Sequence, residues 1–170
     1  AAPAAAPYQP SFRAYEAYHR GRTYWEQRTR EGFRKSIEYF EEAIAKDPSY
    51  APAYAGLADA YNMLTNPILE VVPQGEIMPK AKAAVLKALE LDDTLAEAHT
   101  SLGRIQFYYE WDWAGAEREF LRAVELNPAS PDVRDRYAWY CLQVQSRMDE
   151  ATAELEHALE MDPLSPYFHC

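Results

Sequence analysis

The sequence predicts an all-α fold, a right-handed α-solenoid of four tandem helix-turn-helix units with about eight helices. The first observation is a recurring segment, which appears as EYFEEAIAKDP, AVLKALELDD, REFLRAVELNP and AELEHALEMDP. The second is its spacing, because the central alanines Ala43, Ala88, Ala123 and Ala158 lie 45, 35 and 35 residues apart. A fixed period near 35 residues is typical of repeat proteins, whose units bury a continuous core by stacking.

The chain opens with AAPAAAPYQP, and this Ala/Pro-rich composition predicts a semi-extended tether over residues 1–10. The repeat array is expected over residues 11–165, and residues 166–170 are expected to form a short terminal tail. The four repeats are expected at about residues 14–50, 51–95, 96–130 and 131–165.

The first helix of each repeat is predicted by residues at positions i, i+3, i+4 and i+7, most of them apolar or small, which share one helix face. In the second repeat these residues are Tyr54, Leu57, Ala58 and Tyr61. The third residue of the set is always small, so that the two helices of a repeat can approach closely. The small residues are Gly21, Ala58, Gly103 and Ala138.

The second helix of each repeat carries a bulky apolar residue three positions before the central alanine, and this residue is expected to fill the seam between repeats. Three of the four helices run into Pro, as at Asp47-Pro48. Proline ends a helix because it lacks an N–H and restricts the residue before it. The bulky residues are Phe40, Val85, Phe120 and Leu155.

Together these positions match the pattern W-x2-L-G-x2-Y…A-x3-F…P, and the chain resembles a tetratricopeptide repeat (TPR) protein over roughly residues 11–165. The segments AYAGLADAYNML and YEWDWAGAEREFLRAVELNP are similar to TPR regions of bacterial multidomain signalling proteins. In those proteins the array follows a Ser/Thr kinase, winged-helix or TolB-like module. The resemblance implies a bacterial protein and leaves its location open between cytoplasm and periplasm.

The resemblance also implies a concave groove, lined by the first helix of each repeat, that binds a protein or peptide partner. Arginines and aromatic rings dominate binding hot spots, and Arg22 and Arg104 beside aromatics suit an acidic or extended peptide. The alternative at each aromatic position is packing against a neighbouring helix. The Lys and Asn positions that clamp chaperone tails in this family hold other residues here, so binding of chaperone C-termini is not predicted. The implied groove residues are Tyr18, Arg22, Trp25, Asp59, Asn62, Arg104, Phe107, Tyr108, Asp135 and Trp139.

Two further surfaces could serve as interfaces. The second repeat has eleven residues more than the minimal repeat pattern, and segment 63–79 is predicted to be an apolar loop insertion. It either folds back on its own repeat or binds a partner, since exposed apolar patches mark interfaces. The last helix has an apolar stripe that the remaining LSPYFHC does not cover, so we expect either that a longer parent chain continues over it or that this uncapped C-terminal helix self-associates. The loop residues proposed for an interface are Ile68, Leu69, Val71 and Val72.

The charge distribution argues against a nucleic-acid binder. The net charge is −10; residues 1–35 contribute +4, and residues 36–170 contribute −14. The basic end is either a solvated helix face or a docking patch for an acidic partner. No apolar run approaches the roughly 20 residues that span a membrane, so membrane contact is expected only through a membrane-protein partner.

No catalytic, metal or cofactor site is predicted. The four histidines form no H-E-x-x-H motif, Cys141 and Cys170 lack zinc spacing, and no nucleotide-binding or nucleophile motif occurs. An enzyme needs convergent groups in a pocket, and the sequence signals none.

The sequence therefore favours a non-catalytic interaction module that acts as an adaptor or scaffold through its groove. The alternative is a structural subunit held permanently in a larger assembly, membrane-associated or not, through its loop insertion and its uncapped C-terminal helix. Groove composition favours the first interpretation, whereas the apolar loop and the bare last helix favour the second.

Overall fold

The computed structural model describes residues 8–65, 73–144 and 148–161. These residues form eight α-helices and one short π-helical turn, with no strand among them, which confirms the predicted all-α helical-repeat solenoid. The helices pack as four consecutive pairs. The elements are α1 (Phe12–Glu26), α2 (Arg30–Lys46), α3 (Ala51–Leu64), α4 (Gln74–Leu91), α5 (Ala96–Ile105), the π-helical turn (Gln106–Glu110), α6 (Trp113–Leu126), α7 (Pro131–Val144) and α8 (Met148–Met161).

Short polar side chains begin several helices by accepting hydrogen bonds from otherwise unpaired N–H groups. Thr29 Oγ1 accepts from Gly32 N at 3.0 Å at the start of α2, and Asp112 accepts from Gly115 N at 2.9 Å at the start of α6. Helix α2 stops at Asp47, whose backbone is extended before Pro48, as the repeat pattern predicts.

The seam between the first two repeats is built around Phe40, which is fully buried. A Cβ added to Gly21 of its own repeat would lie 2.7 Å from the Phe40 ring, and one added to Gly56 of the next repeat would lie 2.8 Å from it. Only glycine leaves room for the ring on both sides. The sequence pattern therefore places these residues for packing and not for chemistry.

The stack curves with its first helices on the inside. Contacts join α1 to α3, α3 to α5, and α5 to α7, whereas α2, α4 and α6 make no comparable contacts with one another in the described residues. The inner side of the curve is therefore a concave face made by α1, α3, α5 and α7.

The predicted loop over residues 63–79 is wrong at both ends. Met63 and Leu64 belong to α3, and α4 already begins at Gln74 and contains Pro79. The helices extend into the insertion because Met63, Leu64 and Met78 are buried in the main core. The proposed interface residues Ile68, Leu69, Val71 and Val72 lie outside the described residues, as do residues 1–7 of the tether and the terminal tail.

Candidate functional site

The concave face holds a cavity of about 630 Å³. This volume lies within the range of roughly 300–1,000 Å³ that is usual for ligand sites. Helices α3, α5 and α7 and the π-helical turn form most of its wall, and Arg28 reaches it from the turn between α1 and α2. The wall combines aromatic rings with arginines and aspartates. Its lining residues are Arg28, Phe33, Asn62, Met63, Thr65, Gln74, Met78, Arg104, Phe107, Tyr108, Phe120, Asp132, Asp135, Arg136, Trp139, Tyr140 and Gln143.

Six of the ten groove residues expected from the sequence line this cavity, and four do not. Trp25 is 3% exposed and packs edge-on against Phe33, while Tyr18 packs against Phe40 and Tyr50. A repeat pattern cannot separate a ring that faces the groove from one that supports its wall. The six lining residues are Asn62, Arg104, Phe107, Tyr108, Asp135 and Trp139, and the other four are Tyr18, Arg22, Trp25 and Asp59.

A bidentate ion pair crosses the floor of the groove. The two Arg136 terminal nitrogens donate to the two Asp59 oxygens at 2.9 Å each, and both side chains are only 12% exposed. The pKa of Arg136 is raised. Burial by itself would lower it, but the negative charges of Asp59, Asp132 and Asp135 outweigh the effect of burial. The pair joins α3 of the second repeat to α7 of the fourth.

Arg136 is a groove residue that the repeat pattern did not predict, although the sequence carries a signal for it. Asp59 is the only charged residue in the α3 sequence APAYAGLADAYNML. A lone carboxylate on an otherwise apolar and largely buried helix needs a cation elsewhere in the fold. The sequence therefore indicated that a partner was needed, but its position on α7 depends on the curvature of the stack.

Arg28 closes one side of the groove. Its backbone is left-handed, with φ of 52°, and its guanidinium carbon lies 3.7 Å from the centre of the Trp25 ring. One of its nitrogens is 4.0 Å from Asp132 at the start of α7. Burial, followed by the nearby Arg136 charge, lowers the pKa of Arg28 to about 10. The first and fourth repeats thus approach each other here.

Arg104 lies near the end of α5, with its guanidinium carbon 5.6 Å from the centre of the Tyr108 ring. The Tyr108 hydroxyl accepts a hydrogen bond from Gln143 Nε2 at 2.8 Å, which ties the ring to α7. Burial is the main cause of a lowered pKa of Arg104, and the Arg136 charge adds to it. Arg104 is therefore held in place within the wall of the cavity.

The aromatic part of the wall remains accessible. Trp139 is 55% exposed and Tyr108 is 41% exposed, whereas Phe107 is half-buried and packs edge-on against Tyr140. Burial raises the pKa of Asp135, although Arg136 and a hydrogen bond from Trp139 oppose the shift. The cavity thus offers apolar ring surface beside charged groups of both signs.

A second aromatic surface lies outside the cavity, at the turn between α5 and α6. Trp111 is 73% exposed and has left-handed backbone geometry, with φ of 59°, directly after the π-helical turn. Trp113 is 51% exposed at the first position of α6. Glu110 pairs with Lys82 of α4, which fixes the turn to the second repeat. We call Trp111 and Trp113 the edge tryptophans.

Neither a metal centre nor a membrane-crossing helix is found within residues 8–65, 73–144 and 148–161. No group of three His, Cys, Asp or Glu side chains among them is arranged to hold a metal ion. None of their helices is both long enough and apolar enough to cross a bilayer.

Solved structures show that the chain has the tetratricopeptide fold. The TPR protein TTC0263 of Thermus thermophilus matches with a TM-score of 0.72 and 22% identity, over 91% of this chain and 77% of that one. PilF of Pseudomonas aeruginosa matches with a TM-score of 0.62 and 21% identity, over 91% and 64%. The first TPR domain of RPAP3, bound to the HSP90 peptide SRMEEVD, matches with a TM-score of 0.55 and 17% identity, over 91% and 97%.

Sequence comparison does not assign the chain to a family. No known family profile matches the chain. The transcriptional regulator HilA of Salmonella paratyphi A is 26% identical over 146 residues, which is 86% of this chain. The chain spans 26% of the length of that relative. The resemblance to multidomain signalling proteins with kinase, winged-helix or TolB-like modules stays a prediction.

Proposed function

We propose that this chain is a non-catalytic interaction module that binds an extended peptide segment of a partner protein in its concave groove, as an adaptor or scaffold. The observation that carries the proposal is the 630 Å³ cavity, which is lined by Arg104 and by the exposed rings of Tyr108 and Trp139. Aromatic and arginine side chains in a concave, partly desolvated site are the residues that contribute most to binding.

The fold of RPAP3 with a bound HSP90 peptide supports the same mode of binding, since that domain has the same helical-repeat architecture. The proposed partner is not a chaperone tail. The groove positions that hold Lys and Asn in chaperone-binding relatives carry Tyr18, Arg22, Ala55, Asp59, Thr100 and Arg104 here.

The test is a capture experiment from source-cell extract, including detergent-solubilised membranes, with two matched double variants. One variant, Tyr108→Ala with Trp139→Ala, removes the exposed rings of the groove. The other, Trp111→Ala with Trp113→Ala, removes the edge tryptophans, which are comparably exposed but do not line the cavity. Circular dichroism checks that both variants keep the helical content of the wild type.

We expect the partner to be lost in the groove variant and retained in the edge variant. Truncation of two hot-spot rings is worth at least about 2 kcal/mol, or roughly 30-fold in affinity, which a wash step turns into loss of capture. Retention of every partner by a folded groove variant would refute the proposal.

The second candidate function is a structural subunit that docks permanently through its edge. The exposed edge tryptophans favour it, because two large exposed rings close together in sequence are characteristic of interfaces. This candidate predicts the opposite pattern in the same experiment, with partners lost only in the edge variant. Self-association through the apolar stripe of α8, which the sequence also leads us to expect, would be detected as a concentration-dependent mass in sedimentation.

A further inference from the structure

Arg104 differs from the other cations that line the cavity. Arg136 is neutralised by the bidentate contact with Asp59, and Arg28 lies 4.0 Å from Asp132. Among the described residues, Arg104 has no carboxylate within ion-pair distance, and its Nε is buried without a hydrogen-bond partner. Arg104 is half-buried, and its Nε has lost contact with water without gaining a partner, which is unfavourable. Arg104 therefore has unused binding capacity inside the groove.

The chemistry of a guanidinium defines what would use this capacity. Its N–H groups lie in one plane and match the two oxygens of a carboxylate or phosphate. The Tyr108 ring, 5.6 Å away, and the hydrogen bond from Gln143 to Tyr108 limit the movement of this part of the wall. An incoming anion would therefore meet a donor group that is already positioned, which lowers the entropic cost of binding.

The other charges in the cavity select between anions. Asp132 and Asp135 line the same space, and burial already raises the pKa of Asp135, so further negative charge is disfavoured there. A single carboxylate can pair with Arg104, whereas the additional charge of a phosphate dianion or of a run of acidic residues would face Asp132 and Asp135. The exposed rings of Tyr108 and Trp139 then contact an apolar neighbour of that carboxylate.

We propose that Arg104 binds the side-chain carboxylate of one Asp or Glu in the bound peptide, and that an apolar or aromatic residue next to it packs on Tyr108 and Trp139. This inference rests on the proposed peptide-binding function and adds the chemical class of the ligand. The recognised element is an isolated acidic side chain in an apolar context. It is neither a C-terminal carboxylate nor a phosphorylated residue.

The experiment is selection of a random dodecapeptide display library on the immobilised chain, on Arg104→Gln, and on Arg122→Gln as the matched control. Arg122 is an exposed arginine of α6 that pairs with Glu125 three residues later and does not line the cavity. We expect wild type and Arg122→Gln to enrich peptides with one Asp or Glu at a fixed distance from an apolar residue. Arg104→Gln should select peptides without that acidic position.

Synthetic peptides with blocked ends then measure the contact directly. Replacing the selected Glu by Gln should weaken binding to the wild type at least tenfold and leave binding to Arg104→Gln unchanged. A peptide with phosphoserine at that position should bind at least tenfold more weakly than the Glu peptide. The same is expected of a peptide in which the Glu is absent and a free C-terminus supplies the only carboxylate.

The outcomes separate the two proposals. If no peptide is enriched by the wild type, the peptide-binding function itself fails. The peptides enriched by the wild type could depend on Tyr108 and Trp139 and yet show no preference for an acidic residue, or Arg104→Gln could select the same acidic residue as the wild type. In either case the groove function stands and the role of Arg104 is refuted. Equal or tighter binding of the phosphoserine or free C-terminal peptide would also overturn the proposed ligand class.

Discussion

Removing one partner of the ion pair between Asp59 and Arg136 should cost far more stability than removing one partner of a surface pair. We consider Asp59→Leu, which leaves the Arg136 guanidinium buried on the floor of the groove without its anion. Breaking a fully buried pair costs about 3–5 kcal/mol, because the remaining charge has neither water nor a partner. Both side chains retain 12% exposure, so we expect the lower end, about 3 kcal/mol.

The measurement is the free energy of unfolding from urea denaturation at pH 7, followed by circular dichroism. The control is Lys46→Gln, which breaks the pair between Lys46 and Glu42 on α2, where the side chains are 33% and 46% exposed. Pairs of that kind contribute only about 0.3–0.5 kcal/mol. The double variant Asp59→Leu with Arg136→Met should recover most of the loss, since replacing both partners of a buried pair is often neutral.

A second readout follows from the position of the pair. Because it connects α3 to α7 across the third repeat, amide hydrogen exchange should become faster in α7 and stay unchanged in α1 and α2. A loss below about 1 kcal/mol for Asp59→Leu, or no recovery in the double variant, would show that the pair is effectively solvated and that this reasoning is wrong.

Two further predictions concern packing and pH. Gly56→Ala should destabilise the chain by about 1–3 kcal/mol because the new Cβ would lie 2.8 Å from the buried Phe40 ring. Gly75→Ala, in open space within α4, should instead be neutral or stabilise by up to about 1 kcal/mol; equal effects of the two variants in urea would contradict the packing argument. The hydrogen bond that His99 Nδ1 donates to Glu119 raises the pKa of His99, whereas burial opposes the shift. The contribution of protonated His99 to the free energy of unfolding should thus be complete below about pH 6.5, the pKa of the unfolded state. It should disappear as the pH rises through the higher pKa of His99 in the folded state. Urea titrations from about pH 5.5 to 8.5 should show this decline in the wild type and not in Glu119→Gln, and parallel curves would refute it.

The helical architecture follows from local patterns that any single repeat contains. The i, i+3, i+4, i+7 spacing, the central alanine and the Pro stop each act within about 35 residues. The ends of the insertion in the second repeat were not predicted correctly, because Met63 and Met78 extend their helices only once the core of neighbouring helices is present to bury them. Helix boundaries near an insertion thus depend on contacts that are distant in sequence.

The groove was only partly predictable. Arg104, Tyr108 and Trp139 occupy positions that a repeat register places on the concave side, and they line the cavity. Trp25 shares that register but is turned into the core, since its ring packs on Phe33 within the same helix pair. A modest rotation of a helix about its axis separates the two environments, and that rotation is set by packing.

The sequence by itself determined the all-α repeat architecture, the glycine and aromatic seam around Phe40, and the acidic character of the chain, because each depends on composition or short-range spacing. The tertiary structure alone decided which charges meet. Asp59 and Arg136 are 77 residues apart, and Arg28 and Asp132 belong to the first and fourth repeats. Only the curvature of the stack brings these groups together, and it leaves Arg104 in the groove with no carboxylate within ion-pair distance among the described residues.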